Sequence, residues 1–278
     1  MKTGITFFNM ISFPNAKINL GLQITERLPN GYHSISTCLY PIPVTDALEA
    51  IPSKKTVFAS SGVNIPGNEK DNLVLRAYKL LKKDYQLPEL NIHLLKQIPL
   101  GAGLGGGSSD AAFMLKMLND EFQLFLDDSL LEYYAEQLGS DCPFFIRNKP
   151  AIGTGTGTVL EPIEIDLSGF YLQIINPGIH VSTKAAYAGV NPKPAAFNLQ
   201  ETLLSKDFDL WKSDLQNDFE ASVFEQHPSL KTLKNTLYES GALYAAMSGS
   251  GSTMFGIFDS KPQPIDNSTF SFQETVVL

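Results

Sequence analysis

The stretch PLGAGLGGGSSDAA, from Pro99 to Ala112, places five glycines among the seven residues 101–107 and two serines directly after them. Glycine loses more chain entropy on folding than any other residue. A loop this poor in side chains therefore needs bare main chain for a purpose. NIHLLKQIPL, from Asn91, reads as a short strand running into the loop. After it, Ala111, Ala112, Leu115 and Leu118 recur at helical spacing, with Ser108 or Ser109 as the expected cap. A loop between a strand and a helix start presents unpaired N–H groups and the positive end of the helix dipole. The pattern predicts a phosphate cradle. A flexible linker is the alternative, but linkers rarely stand between an apolar strand and an amphipathic helix.

The kind of cradle is narrowed by what is missing. A Walker A loop ends in Gly-Lys-Ser/Thr, and this one contains no lysine. HRD and DFG signatures of protein kinases are absent. Gly101, Gly103 and Gly106 match GxGxxG, which keeps a dinucleotide-dependent oxidoreductase as a rival. The Rossmann context wants a second strand ending in Asp or Glu about 20 residues on, whereas residues 108–138 read as helix, short loop, helix.

The rest of the chain is mixed α and β. Residues 15–25 alternate, with Ala16, Ile18, Leu20, Leu22 and Ile24 on one face and Asn15, Lys17, Asn19 and Gln23 on the other. This predicts a half-buried strand. Pro29-Asn30-Gly31 is a turn signal, with a second strand expected from Tyr32 to Ile42. Helices are expected from Asp71 as N-cap, from a capping box at Ser129–Glu132 up to Gly139, and over Leu230–Glu239. GTGTGT at 153–158 reads as a loop. FYLQIINPG, ALYAAMS and TMFGIF read as strands. No internal repeat is found, and a boundary is expected near 150–160.

The net charge of −8 argues against a nucleic-acid-gripping protein, which would show a basic face. An RNA-binding module is therefore disfavoured, though a small anion can still be held by local donors. Two cysteines, Cys38 and Cys142, are too few for a disulfide framework and lack zinc-ligand spacing. They predict free thiols in a reducing cytoplasm. No apolar run approaches the roughly 20 residues of a membrane span. MKTGITFFNMISFP is interrupted by Asn9, Ser12 and Pro14 and is not expected to be a signal peptide; Met1 and Met10 both stand as possible starts.

At this point PLGAGLGGGSSDAA resembles the phosphate loop of the GHMP kinases. PNAKINLGL, NGYHSI, GSDCPFFI and MSGSGSTMFGIF follow in the order of that family, from about Ser12 to Phe258. NGYH together with GSDCPFF points to the branch acting on a cytidine-diphosphate-linked methylerythritol; mevalonate- and homoserine-type relatives are the alternative. The resemblance implies a two-lobed α+β fold. Residues 1–155 would form an ATP-binding lobe like a ribosomal-protein fold and 156–264 a ferredoxin-like lobe, with the active site in the cleft. QETVVL, within 265–278, is the candidate strand returning to the first lobe.

The resemblance further implies transfer of the ATP γ-phosphoryl to the 2-hydroxyl of that substrate, a reaction of positioning and charge stabilisation. Pro99, Leu100, Gly101, Ala102, Gly103, Leu104, Gly105, Gly106, Gly107, Ser108 and Ser109 would hold ATP, with Ser108 near Mg²⁺. Lys96 either lines the nucleotide site or is a solvated lysine on a strand. Asp141 reads as a capping aspartate from spacing alone and as the general base from the resemblance. Lys17, an exposed strand lysine by pattern, becomes the cation beside Asp141 and the acceptor hydroxyl. Asn19, Tyr32, His33, Thr183 and Tyr187 would bind the substrate. Tyr32 and His33 would stack on and hydrogen-bond to cytosine, and Tyr187 would form the opposite wall. Gly249 and Gly251 are expected to let their turn pack close to the phosphate loop, and a plain hairpin explains them nearly as well. Thr158 stands where the family carries an acid. Asn217-Asp218-Phe219-Glu220 reads as structural. No nucleic-acid or membrane partner is expected, and the oligomer is expected to be a monomer or homodimer.

Overall fold

The computed structural model describes residues 10–195, 197–266 and 268–278. Met1 and the rest of the segment 1–9 lie outside these. In chain order the elements begin with β1 (Met10–Ser12), β2 (Asn15–Arg27), β3 (His33–Thr45), β4 (Ala47–Pro52) and β5 (Val57–Gly62). A 3₁₀ turn over Glu69–Asp71 leads into α1 (Leu73–Asp84), then β6 (Leu90–Lys96), α2 (Gly106–Glu121), α3 (Asp128–Glu136) and α4 (Cys142–Arg147). There follow β7 (Ala151–Gly155), β8 (Val159–Pro162), β9 (Tyr171–Asn176), α5 (Thr183–Ala188), α6 (Leu199–Ser205), α7 (Phe208–Asp214) and α8 (Phe219–Gln226). The last are α9 (Pro228–Glu239), β10 (Tyr244–Met247), β11 (Met254–Phe258) and β12 (Phe272–Val277).

The chain divides into two compact units. The first takes residues up to Asn15, Thr45–Leu100 and Gly106–Asn148. It holds a sheet in the order β1-β4-β6-β5, with β5 parallel to β6, and the helices α1–α4. The second takes Ala16–Val44, Gly101–Gly105 and Lys149–Leu278. It holds two sheets, β2-β3-β7-β8 and β10-β11-β9-β12, with α9 laid on β10 and β11. Leu22, Ile24, Ile175, Phe219, Leu233 and Met247 belong to its apolar core.

The alternating run becomes β2, but the strand is not half-buried. Residues 16–24 are all buried, so Lys17, Asn19 and Gln23 lie inside with their apolar neighbours. A buried polar row survives only if its groups are hydrogen-bonded. Here Asn19 Nδ2 donates to Thr37 Oγ1 at 3.0 Å, and Thr37 Oγ1 donates to Gly21 O at 2.6 Å. The Asn-Gly turn forms, with Gly31 at φ +85°.

Three expected caps shift. Asn72, not Asp71, accepts from Val74 N to cap α1, because Asp71 is used in the preceding 3₁₀ turn. Asp127 caps α3 through Leu130 N, two residues before the expected serine. Neither Ser108 nor Ser109 caps α2, since Gly106 already lies inside the helix.

Two further expectations are corrected. Residues 153–155 are strand, not loop: GTGTGT forms the corner of the β7–β8 hairpin, with Gly155 and Gly157 at positive φ. QETVVL lies in β12, which pairs antiparallel with β9, from Phe272 opposite Asn176 to Val277 opposite Tyr171. Its ladder is made in the second unit and not with the β-strands of the first.

Candidate active site

The glycine loop is held by different neighbours along its length. Gly101, Gly103 and Gly105 adopt φ of +60°, +80° and +70°. A Cβ on Gly103 would sit 1.9 Å from Ser248 O, an overlap that no side chain survives. Ser248 Oγ donates to Gly103 O at 2.8 Å, and Lys17 N donates to Leu104 O at 3.0 Å. The MSGSGS turn thus lies directly on the loop, as expected of Gly249, whose own Cβ position is 3.3 Å from Gly103 Cα. At Gly106 a Cβ would lie 2.8 Å from Ile98 Cγ2 and 2.9 Å from Lys96 Nζ. The loop is bare because two of its positions have room for nothing larger.

Lys96 is neither solvated nor alone. It is buried at 1% exposure, and its Nζ donates to Asp46 and, at 2.7 Å, to Asp110 Oδ2. Asp46 Oδ1 accepts from Gln97 N at 2.6 Å and from Ile98 N at 2.9 Å. It thereby fixes the exit of β6 just ahead of Pro99. Asp110 reaches the same ammonium from the first turns of α2. Burial pushes the Asp110 carboxyl up to about 8, against the pull of Lys96. Beside this trio opens a cavity of about 280 Å³, lined among others by Phe58, Ile65, Asn68, Leu73, Lys96 and Leu100. Its lining includes Gly107 and Asp110, so it adjoins the start of α2. Ser109 is fully buried, and its hydroxyl has no hydrogen-bond partner among the described residues. Ser108 lies against Cys142, whose thiol burial pushes up to about 11. Both cysteines are free and buried.

Asp141 occupies the N-cap position of α4, but with helical angles (φ −86°, ψ −12°) and no capping bond from its side chain. The helix therefore does not explain the carboxylate. In the second unit, Lys17 Nζ donates to Asn19 Oδ1 at 2.6 Å, at the head of the Asn19–Thr37–Gly21 chain. Those bonds aim an ammonium that is itself 4% exposed.

His33 and Tyr187 are brought together, face to face, with centroids 4.8 Å apart and planes 14° from parallel. No base fits between rings at that spacing, so the two do not form opposite walls as placed. Tyr32, next to His33, is 66% exposed. Thr183 Oγ1 lies 3.1 Å from Ser250 Oγ, joining the start of α5 to the MSGSGS turn. Asp46, Asp110 and His180 escape the sequence reading, which takes Asn217 as structural. His180 Nδ1 comes within 4.0 Å of the Cβ position of Gly101.

Residues 72–149 match the family described as "GHMP kinases N terminal domain", and residues 199–266 match "GHMP kinases C terminal". A protein of Cytophaga hutchinsonii named 4-diphosphocytidyl-2-C-methyl-D-erythritol kinase is 52% identical over 268 residues, covering 96% of this chain and 99% of its own. The chain belongs to the 4-diphosphocytidyl-2-C-methyl-D-erythritol kinase family of the GHMP kinases. A namesake from Parabacteroides distasonis is 50% identical, over 94% of this chain and 96% of its own. The crystal structure of a 4-(cytidine 5'-diphospho)-2C-methyl-D-erythritol kinase superposes with a TM-score of 0.75 at 31% identity, covering 89% of this chain and 90% of that one.

Family membership makes the chain an ATP-dependent small-molecule kinase with the expected two-domain α+β fold. The GxGxxG match therefore does not mark a Rossmann unit, which corrects the oxidoreductase alternative. Among the described residues no helix is long and apolar enough to cross a membrane. Among the same residues no group of three or more His, Cys, Asp or Glu is placed to hold a metal ion.

Proposed function

We propose that the chain transfers the γ-phosphoryl group of ATP to the 2-hydroxyl of 4-diphosphocytidyl-2-C-methyl-D-erythritol, a step of the non-mevalonate route to isoprenoid precursors. The observation that carries the kinase reading is the loop itself: Gly101, Gly103 and Gly105 hold positive φ on the way into α2, which begins at Gly106. Backbone N–H groups at a glycine-rich helix start let an anion approach closely. The acceptor is carried over from relatives that bear its name at about half identity along nearly their whole length.

Residues Leu100–Ser109 bind the triphosphate through backbone N–H groups, with Pro99, which has none, opening the loop. The cavity beside Lys96 takes the nucleoside, with its apolar lining against the flat base. Mg²⁺ fits this donor set: it is commonly held by one or two protein oxygens together with substrate phosphates. Ser108 Oγ is the oxygen offered at the start of α2. The ion, when bound, neutralises charge on the transferring phosphoryl.

Asp141 accepts the proton of the acceptor hydroxyl. The carboxylate stands at the N-terminus of α4 without capping it. Lys17, aimed by Asn19, stabilises the alkoxide as it forms. Asn19 contributes by holding that ammonium in place. Tyr32 closes over cytosine, His33 hydrogen-bonds the base edge from its stacked position, Tyr187 backs the histidine, and Thr183 contacts the substrate. The enzyme works in the cytoplasm, as monomer or homodimer, without nucleic acid or membrane.

The test is ADP release measured with the cytidine-linked methylerythritol, mevalonate, homoserine and galactose offered in parallel. The first is expected to turn over well above the others; equal or greater turnover of another would move the chain to a different GHMP activity. In the same assay His33→Ala raises KM for the cytidine substrate about tenfold, since a polar group of the bound base edge left without its partner costs roughly 1–3 kcal/mol. KM for ATP stays near its wild-type value. Equal rises in both would remove His33 from the cytosine site.

A further inference from the structure

Asn217-Asp218-Phe219-Glu220 has a placement that its sequence does not announce. Asn217 is 3% exposed, and both hydrogens of its Nδ2 are used. One goes to Met247 O and one to Gly249 O, each at 2.8 Å. Its Oδ1 accepts from Phe219 N at 3.0 Å. The two carbonyls flank Ser248, the residue whose own carbonyl fills the Cβ position of Gly103 and whose hydroxyl holds Gly103 O. Glu220 Oε1 accepts from Met247 N at 2.9 Å and anchors the same turn a second time.

The other side of the segment faces the rings. Phe219, 2% exposed, meets Tyr187 edge to face at 4.8 Å and 88°, and Tyr187 in turn stacks on His33. The segment is pinned to β2 as well. Asp218 N donates to Leu22 O at 2.8 Å, and Ile24 N donates to Asp218 Oδ2 at 2.7 Å. Four consecutive residues thus touch the support of the phosphate loop and the support of the His33 ring, from one fixed base.

We propose that Asn217 is the positioning residue for the Gly103 stretch of the ATP loop, and Phe219 the positioning residue for the His33–Tyr187 pair. This rests on the reading of 99–109 as the ATP loop and of His33 as part of the cytosine site. The amide is matched to its task. Only a side chain with two donors and one acceptor in this geometry satisfies two carbonyls and an N–H at once. An aspartate is the same size but would set an oxygen against both carbonyl oxygens.

Two ligands titrated separately by calorimetry give the test: the Mg²⁺ complex of the β,γ-imido analogue of ATP, and cytidine 5'-diphosphate. Neither measurement needs turnover. Asn217→Asp is expected to weaken the ATP analogue about tenfold or more while leaving cytidine diphosphate within about twofold, since one buried carbonyl pair loses its donors. Phe219→Leu is expected to do the reverse. Ser248→Ala, which removes only the hydroxyl on Gly103 O, is expected to weaken the analogue by a few-fold and decides the matter if Asn217→Asp does not fold. A merely structural segment would weaken both ligands alike or neither, and either result overturns the proposal. Wild-type protein that binds the ATP analogue but not cytidine diphosphate would overturn the acceptor reading and the Phe219 half with it. The Asn217 half would still be decided by the ATP arm.

Discussion

Asp141→Asn is expected to lower turnover roughly 10²–10⁴-fold, the range over which a positioned general base acts. The substitution keeps the shape of the side chain while removing its negative charge and its ability to take up a proton. It should not disturb α4, because the carboxylate makes no capping bond there and Pro143 already sets the first turn. The expected signature is thus a fall in kcat with near-normal KM for ATP, near-normal KM for the acceptor and an unchanged melting temperature. Steady-state kinetics beside a thermal melt checks all of these. A variant retaining turnover within about threefold of wild type would strip Asp141 of the role, since a base contributes at least about 10² when it works. A variant that loses activity together with stability would show instead that the carboxylate holds the Gly139–Cys142 turn.

What the sequence made legible was local. The glycine loop, the strand before it, the helix after it and the Asn-Gly turn are each specified by residues within a few positions of one another, and all four form. Caps slipped by one or two residues where two capping types stand close together, as with Asp71 and Asn72 or Asp127 and Ser129. The buried partners of the site were not legible, because nothing near them in the chain points to them. Asp46 lies 50 residues from Lys96, and Asn217 lies 30 and 32 residues from the carbonyls it holds. The alternation of β2 gave the facing of Lys17 but not its burial, since a polar row reads the same whether it meets water or Thr37. The resemblance to a kinase family, carried by short motifs, supplied the chemistry that periodicity could not. It offered Lys96 a place beside the nucleotide but not between two buried carboxylates.

Lys96→Met answers that point, and its effect should be on stability before activity. The methionine keeps a stem of similar length and deletes the ammonium, leaving Asp46 and Asp110 buried together with no cation. Breaking a buried pair on one side typically costs about 3–5 kcal/mol. For a chain of this size that corresponds to a melting temperature lower by on the order of 10 °C. The loss should depend on pH with a defined sign. The Asp110 carboxyl sits at about 8 in the folded protein, above its ordinary 3.8. A raised group contributes stability that is complete below its unfolded value and is lost as pH climbs through the folded one. In the wild type the decline should therefore level off above about 8. Lys96 is what restrains the rise of that carboxyl, so in the variant the decline continues to higher pH. Melts of the two proteins at pH 6 and pH 9 are expected to show a gap that is wider at pH 9. A gap that stays constant, or narrows, would mean that Asp110 does not hold a proton against burial, and that the trio is an ordinary ion pair with a neighbouring carboxylate already charged.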